Sequence, residues 1–487
     1  MGSAELNSPA AVYPVFSTAG DARRSRARFE VAASSIERVT DLAAVATAVF
    51  LSYIAYRSLS LGRALHYSVG TISTSALVFG VVFVLMLDHD GAYKRASSLL
   101  RIRETERILR VTIQAFGIVL PASFFFSYLF SRWVVILAIA IVPLILILEK
   151  QIVFLIIRYL HSRGYGVQNA LVYGAGFTGR SVLSALFRSP KLGLRPVAIV
   201  DDDEEIVGQD IYASSYRHEV SAPVIAGPLS RDLIQKWDCS QVVIGIPSLS
   251  RQRVQEIAAE AFAAGAEVAF VPQLSFGSDT PAEYVDIDGV LLASIGQATR
   301  KRLYEAAKRA FDFIAALFLL VCSAPLWAVF ATLIRSDSKG PVLFSQMRVG
   351  RGGKLFELYK FRSMHANTSK YDLHPTDTSD PRVTRFGSWL RRTSLDELPQ
   401  LINVLKGDMS LVGPRPEMPF IVKQYEARHW QRLVVTPGLT GLWQLSADRA
   451  FLIHENIQYD LYYIRHRNFF MDLAILLHTA VFAMKGI

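Results

Sequence analysis

The sequence has little of what disulfide scaffolds and metal-centred enzymes are built from. Its two cysteines, Cys239 and Cys322, stand far apart and fit no metal-ligand spacing, which excludes a disulfide framework and a zinc site and points to a reducing compartment. There is no H-E-x-x-H, no G-x-S-x-G and no Walker A loop, and the ten histidines do not cluster at ligand spacing. The first forty residues lack a compact basic, apolar and cleavage-site pattern, so no secretory signal is read there. Charged residues make up only 19% of the chain against 51% hydrophobic, and the mean hydropathy is +0.29, the balance of a membrane protein with a substantial soluble part. At 487 residues the chain exceeds one core. The net charge of +10 suits lipid headgroups and phosphates; nucleic acid fits poorly with the hydrophobicity.

Residues 1–40 are rich in Ala, Ser and Arg and read as a flexible basic tail. Apolar runs follow at 41–59, 69–87, 111–130 and 133–157. Each is close to the roughly 20 residues of a spanning helix, giving a four-helix transmembrane bundle over 41–160. Lys94, Arg95, Arg101, Arg103, Arg107 and Arg110 sit between the second and third runs, whereas the other two loops carry only Arg57, Arg63 and Arg132. That asymmetry places both ends of the bundle in the cytoplasm.

Over 165–280 short apolar strands alternate with helical stretches, the signature of a Rossmann-like, doubly wound α/β domain. Strands are expected at 170–173, 196–200, 241–246 and 267–271, and helices at 231–237 and 251–264. The first strand runs into Gly174-Ala175-Gly176-Phe177-Thr178-Gly179, with Asp201 at the end of the next strand. Gly174, Gly176 and Gly179 would let backbone amides approach a phosphate, and Asp201 would meet a ribose hydroxyl. The same glycines also serve tight strand-to-helix packing alone.

A Gly, Asp and Ser-rich connector occupies 281–300, and an apolar run to Ile334 follows. Basic residues flank this run on both sides, with Lys301, Arg302, Lys308 and Arg309 before it and Arg335, Lys339, Arg348 and Arg351 after it. Pro325, in Ser323-Ala324-Pro325, interrupts the helical ladder near its middle. The expectation is a re-entrant helix that enters one leaflet and returns to the same face. The final apolar segment, from Phe469, carries Asp472, His478 and Lys485 and reads as an amphipathic or packing helix.

Chemistry concentrates beyond that helix. Arg391-Arg392-Thr393-Ser394-Leu395-Asp396-Glu397-Leu398-Pro399 sets two adjacent carboxylates behind two arginines. Around it in sequence stand Lys360-Phe361-Arg362, whose alternation puts Lys360 and Arg362 on one strand face, then Arg382 and Arg385, then Gly413-Pro414-Arg415-Pro416-Glu417. Guanidinium groups on proline-stiffened backbone hold phosphate oxygens in fixed geometry. Together these residues describe a site for a phosphorylated substrate at a bilayer surface.

With these motifs, residues 300–487 resemble the bacterial sugar transferases, the monotopic phosphoglycosyl transferases, and the whole chain is similar to their large members, which begin exopolysaccharide or O-antigen synthesis. The resemblance implies an α-rich catalytic domain with a re-entrant membrane helix over 301–487, in a multi-pass protein of the bacterial inner membrane whose catalytic domain faces the cytoplasm. It implies transfer of a hexose-1-phosphate from a UDP-sugar to undecaprenyl phosphate, with release of UMP. Asp396 matches the nucleophile and Glu397 the partner that binds Mg²⁺. Lys360, Arg362, Arg382, Arg385, Arg392 and Arg415 match phosphate-binding positions, and Pro414 and Pro416 shape the loop. Ser323 and Pro325 match the bend of the re-entrant helix. Membrane lipids are further partners, and the α/β domain would serve a nucleotide, a regulator or a homodimer contact. Two other classes share features with the chain: a membrane-anchored NAD(P)-dependent nucleotide-sugar dehydratase or epimerase, drawing on the glycine loop and a Tyr304-x-x-x-Lys308 pair, and a non-enzymatic membrane scaffold.

Overall fold

The computed structural model describes residues 19–61, 66–93, 101–125, 131–188, 193–214, 219–271, 282–287, 290–295, 302–368, 380–425, 429–445 and 457–484. The chain forms two compact units, Met1–Gln273 and Leu274–Ile487.

The first unit opens with four helices, α1 (Ala19–Ser58), α2 (Val69–His89), α3 (Arg101–Phe125) and α4 (Arg132–Ser162). They pack in a ring, α1 on α2 and α4 and α3 on the same two. Val45, Ala48, Phe83, Val111, Val142 and Leu146 fill the core, while Leu77, Leu85, Ile118, Leu144 and Leu148 point outward into the surroundings. A helix that is apolar all round needs lipid on its outer face. Segments Ala27–Ser58, Val69–His89 and Arg132–Ser162 are long and apolar enough to cross a membrane. Among the described residues α3 is not, because the expected loop arginines Arg101, Arg103, Arg107 and Arg110 form its first turns; the rest of the expected 111–130 run lies outside the described residues. The expected tail is corrected too: from Ala19 it is already helix α1, whose Ala, Arg and Glu are good helix formers. Residues 1–18 of that tail lie outside the described residues, as do Lys94 and Arg95.

The same unit continues as β1 (Gln168–Tyr173), α5 (Phe177–Arg188), β2 (Leu194–Asp201), β3 (Asp210–Ser214), β4 (Glu219–Ala226), α6 (Arg231–Lys236), β5 (Cys239–Ile244), α7 (Arg251–Ala263) and β6 (Glu267–Phe270). They build a mixed α/β sheet in the order β3-β4-β2-β1-β5-β6, parallel except at the β3 edge. Alternation along β1 sends Leu171 and Tyr173 to one face, with Ile234 and Ile257, and Val172 to the other, with Leu183 and Ile199. The four expected strands coincide with β1, β2, β5 and β6; β3, with Asp210 and Ser214 at its ends, offers no apolar run, and the apolar stretch of β4 is interrupted by Pro223.

In the second unit β7 (Ala282–Ile287) pairs antiparallel with β8 (Val290–Ile295), so part of the expected connector is a hairpin; its β-branched Val285, Ile287, Val290 and Ile295 favour extended backbone. The remainder of the connector lies outside the described residues. Helix α8 (Arg302–Asp337) carries Pro325 inside it and leaves Ile314, Phe318, Val321 and Val329 exposed. The hairpin β9 (Leu343–Val349) and β10 (Leu355–Phe361) follows, then α9 (Arg385–Arg392), α10 (Gln400–Lys406), β11 (Ser410–Val412), α11 (Pro419–Val422), β12 (Gly438–Thr440), α12 (Ile457–His466) and α13 (Phe469–Met484). Helix α13 packs on β11 and β12 through buried Met471, Ala474 and Ile475, with Thr479 hydrogen-bonded to Thr440.

Candidate active site

Lys360 is delivered by a docked strand. Asn403 of α10 accepts the Tyr359 N–H at 3.1 Å and donates to the Glu357 carbonyl at 2.7 Å, which fastens the β10 edge to α10. Phe361 is buried against Trp327 and Phe330 of α8. With both neighbours fixed, the intervening Lys360 reaches toward the segment that joins α9 to α10.

That segment is tightly folded. Thr384 caps α9 through the Gly387 N–H, Ser394 takes a left-handed φ of +55°, and a 3-10 turn over Leu395–Glu397 leads through buried Pro399 into α10. A non-glycine residue in that region is strained by about 1 kcal/mol or more, tolerated where its surroundings dictate the turn. The turn sends the two adjacent carboxylates to different fates. Glu397 Oε1 accepts from Lys360 Nζ at 2.6 Å and from Arg415 Nη2 at 3.0 Å. Asp396 is buried and accepts no hydrogen bond among the described residues, with its closest ion pair to Lys360 Nζ at 3.9 Å.

The electrostatics divide the pair further. Burial pushes the Asp396 carboxyl up, and the Glu397 charge adds to this, against the pull of Lys360 and Arg391. Burial pushes Glu397 up as well, but Arg415 and Lys360 outweigh it and hold Glu397 well below the usual carboxylate range. One acid is a fixed anion; the other is poorly solvated and accepts no hydrogen bond among the described residues.

Arg415 comes from the 413–417 loop between β11 and α11. Gly413 and Gly438 approach so closely where β11 runs beside β12 that a Cβ on either would collide with the other strand's backbone. This close backbone packing fixes where Pro414-Arg415-Pro416 begins.

The remaining expected site residues divide. Lys360, Arg415, Asp396 and Glu397 come together, with Pro414 and Pro416 framing Arg415. Arg362 goes elsewhere: β10 ends at Phe361, and the Arg362 guanidinium caps the end of α8 by donating to Ile334 O, Ser338 O, Ser338 Oγ and Lys339 O. Arg382 pairs with Asp380 at 2.6 Å. Arg385 and Arg392 are exposed, without a hydrogen bond or ion pair among the described residues. It is Arg391, one residue before Arg392, that acts electrostatically on Asp396 and Asp380, and its burial lowers its own pKa. Successive side chains on α9 point about 100° apart, so only one of the adjacent arginines can face the acids; the sequence reading chose Arg392, and it is Arg391 that faces them. Ser323 donates to Leu320 O within α8, two residues before Pro325.

In the α/β domain Gly174 has a φ of +105°, and a Cβ on Gly179 would strike the Gly174 carbonyl, so both serve the turn itself; Gly176 faces open space. Asp201 Oδ2 accepts the Ala175 N–H at 2.6 Å and Oδ1 accepts the Asp203 N–H at 3.0 Å. Tyr304 and Lys308 both engage Asp472, at 2.6 and 3.0 Å, which ties α8 to α13.

A divalent metal has few protein donors here, since no three His, Cys, Asp or Glu side chains converge among the described residues. Both bonds to Glu397 fall on Oε1, leaving Oε2 and the Asp396 oxygens as donors. That set fits a hard ion that keeps its waters and takes its other ligands from substrate phosphates, the habit of Mg²⁺.

Comparison with known proteins places these features. Residues 303–486 match the bacterial sugar transferase family, and residues 88–221 match a CoA-binding domain. An undecaprenyl-phosphate glucose phosphotransferase of Komagataeibacter xylinus is 44% identical over 188 residues, 35% of this chain and 35% of that protein. A UDP-N-acetylgalactosamine-undecaprenyl-phosphate N-acetylgalactosaminephosphotransferase of Aeromonas hydrophila is 36% identical over 47% of this chain and 56% of its own length. A UDP-glucose:undecaprenyl-phosphate glucose-1-phosphate transferase of Xanthomonas campestris pv. campestris is 32% identical over 67% of this chain and 68% of that protein. The chain thus aligns with about a third to two thirds of the length of these relatives.

Proposed function

Because the chain belongs to the bacterial sugar transferase family, we propose that it transfers a hexose-1-phosphate from a UDP-sugar to undecaprenyl phosphate, releasing UMP and starting a polysaccharide on its lipid carrier. The observation that carries this reading is the asymmetry of the acid pair: Asp396 buried and unbonded, Glu397 clamped between Lys360 and Arg415.

An Asp396 carboxylate oxygen attacks the phosphorus that bears the sugar. A P–O bond forms as the bond to the UMP oxygen breaks, and UMP leaves with that electron pair. The product is a phosphosugar on Asp396, an acyl phosphate whose carboxylate is a good leaving group. An oxygen of undecaprenyl phosphate then attacks the same phosphorus, and Asp396 leaves with its electrons. Lys360 and Arg415 offer cationic donors to the diphosphate oxygens, and Arg391 adds positive charge beside Asp396. Mg²⁺, held by Glu397 and the substrate phosphates, would neutralise the diphosphate so that an anion can approach it.

Placement at the cytoplasmic face of the inner membrane belongs to the same proposal. Near its start α8 is tied to the catalytic domain by Arg309 donating to Val404 O and Leu405 O, and by Ser410 donating to Asp312. Near its end it is tied to the same domain by Arg362 and by Asp337, which accepts the Phe386 N–H. A helix whose two flanks grip one polar domain is better served by entering and leaving the same face than by crossing, which supports the re-entrant course. Residues 41–160 then anchor the chain and residues 301–487 carry the reaction.

The test is a panel of UDP-sugars scored by UMP release with undecaprenyl phosphate and Mg²⁺. Multiple-turnover release is expected for one or a few hexose donors and should require both additions, with donor alone giving at most one UMP per protein. UMP release unaffected by omitting the lipid phosphate, or absent with every donor, would overturn the reading.

A further inference from the structure

We propose that Arg432, a residue the sequence did not mark and that touches neither acid, is a positioning residue that sets Arg415 onto Glu397. The inference rests on the transferase reading for its kinetic test.

The loop that carries Arg415 has an unusual backbone problem. Pro414 and Pro416 have no N–H, so the loop can be gripped mainly through its carbonyls. Four in succession are held, each by a donor from another residue. Pro414 O accepts from the Gly438 N–H at 2.9 Å, and Glu417 O from the Val349 N–H at 2.9 Å. Between them Pro416 O accepts from Arg348 Nη1 at 3.3 Å, and Arg415 O from Arg432 Nη2 at 3.1 Å. The outer two are backbone to backbone and come with the strands. The inner two depend on side chains, and Arg432 holds the residue that matters.

Arg432 is itself immobilised. It is 3% exposed. Its Nε donates to Asp460 at 2.7 Å, and its Nη1 donates to the Tyr425 hydroxyl at 2.6 Å and to Glu417 at 3.4 Å. Buried ion clusters of this kind add little net stability, since desolvation offsets attraction; what they supply is a fixed arrangement. A planar guanidinium reaches all four acceptors in one geometry, which the single ammonium of lysine cannot do. The chain of contacts runs from Asp460 through Arg432 to the Arg415 backbone, and from the Arg415 side chain to Glu397.

The test is a double-mutant cycle on UMP release with varied donor, using Arg432→Lys, Arg415→Lys and the double variant, with thermal unfolding of each. Arg432→Lys is expected to lower kcat/KM for the donor by about tenfold or more, while the KM for undecaprenyl phosphate stays within about twofold. The double variant should be no worse than Arg415→Lys alone, because both act through one contact. Losses that multiply, or a folded Arg432→Lys protein with wild-type kcat/KM, would overturn the proposal. A purely structural role would lower the unfolding temperature and multiply with Arg415→Lys. Should Arg432→Lys fail to fold, Tyr425→Phe, which removes one anchor, takes its place in the cycle with the same criterion. If the wild-type protein released no UMP with any donor, the transferase reading would fall first. Amide exchange over residues 410–420 would then decide: faster exchange in the folded Arg432 variant supports the positioning role, and unchanged exchange overturns it.

Discussion

Asp201 in the α/β domain and Asp396 in the C-terminal unit both stand beside phosphate-suited motifs, one near a glycine loop and one amid arginines, yet they end in opposite states. Both Asp201 oxygens accept backbone N–H groups of the turns around it. Asp396 is buried and accepts none among the described residues. The first carboxylate stabilises its own loop; the second is held in a state that costs stability and that the proposed attack would draw on. A motif fixes which residue types are present, but whether their polar atoms remain available depends on what folds against them.

That contrast can be broken most sharply by removing each acid in turn. Asp396→Asn is expected to lower UMP release by at least about a thousandfold and to abolish any phosphosugar adduct seen by intact-protein mass spectrometry with donor alone. Full activity in this variant would place the nucleophile elsewhere. Weaker but still large, Lys360→Met should reduce kcat/KM about ten- to a hundredfold, because Glu397 loses one of its two partners and the site loses its cation nearest Asp396. Kinetics equal to wild type would remove Lys360 from the site.

Asp201→Asn should behave oppositely, keeping UMP release within about twofold while destabilising the α/β domain by about 1–2 kcal/mol in denaturant unfolding, through the weakened bond to the Ala175 N–H. A large activity loss with unchanged stability would mean that Asp201 serves the reaction.

The smallest effect concerns pH. In metal-free protein Asp396 has a pKa raised by burial above its ordinary 3.8. Its protonated form therefore favours folding below that ordinary value, and the contribution is lost as pH rises through the raised one. At neutral pH Asp396→Asn should accordingly melt higher than wild type, by about 2–4 °C, with the gap closing as pH falls toward 3.8. A lower melting point at neutral pH would show that the carboxylate is well accommodated after all.

Much of the fold could be read directly. The apolar lengths of α1, α2, α4 and α8 and the strands β1, β2, β5 and β6 follow from local hydrophobic pattern, which one stretch of chain expresses by itself. Strands β3 and β4 did not: β3 is a short edge strand without an apolar run, and the apolar stretch of the interior strand β4 carries Pro223, which weakens it as a strand signal. At the candidate site, Asp396, Glu397, Lys360 and Arg415 were picked out by residue type and turn context, and they do converge. Arg362 was misplaced because alternation holds only while the strand lasts, and β10 stops one residue before it. Arg432 carried no local signal, standing in an ordinary-looking 3-10 turn over His429–Val434.

By itself, then, the sequence determined the membrane character, the alternation of the α/β domain and the presence of an adjacent acid pair amid arginines, all of which depend on composition and short-range spacing. Tertiary structure alone decided which cations meet which acids. Asp396 and Glu397 are neighbours in the chain with nearly the same side chain, and they part only because Lys360, 37 residues before Glu397, and Arg415, 18 residues after it, both converge on Glu397. Burial then raises the acid that those partners leave unbonded, because a charge taken out of water and given no hydrogen bond has nothing to offset its lost solvation.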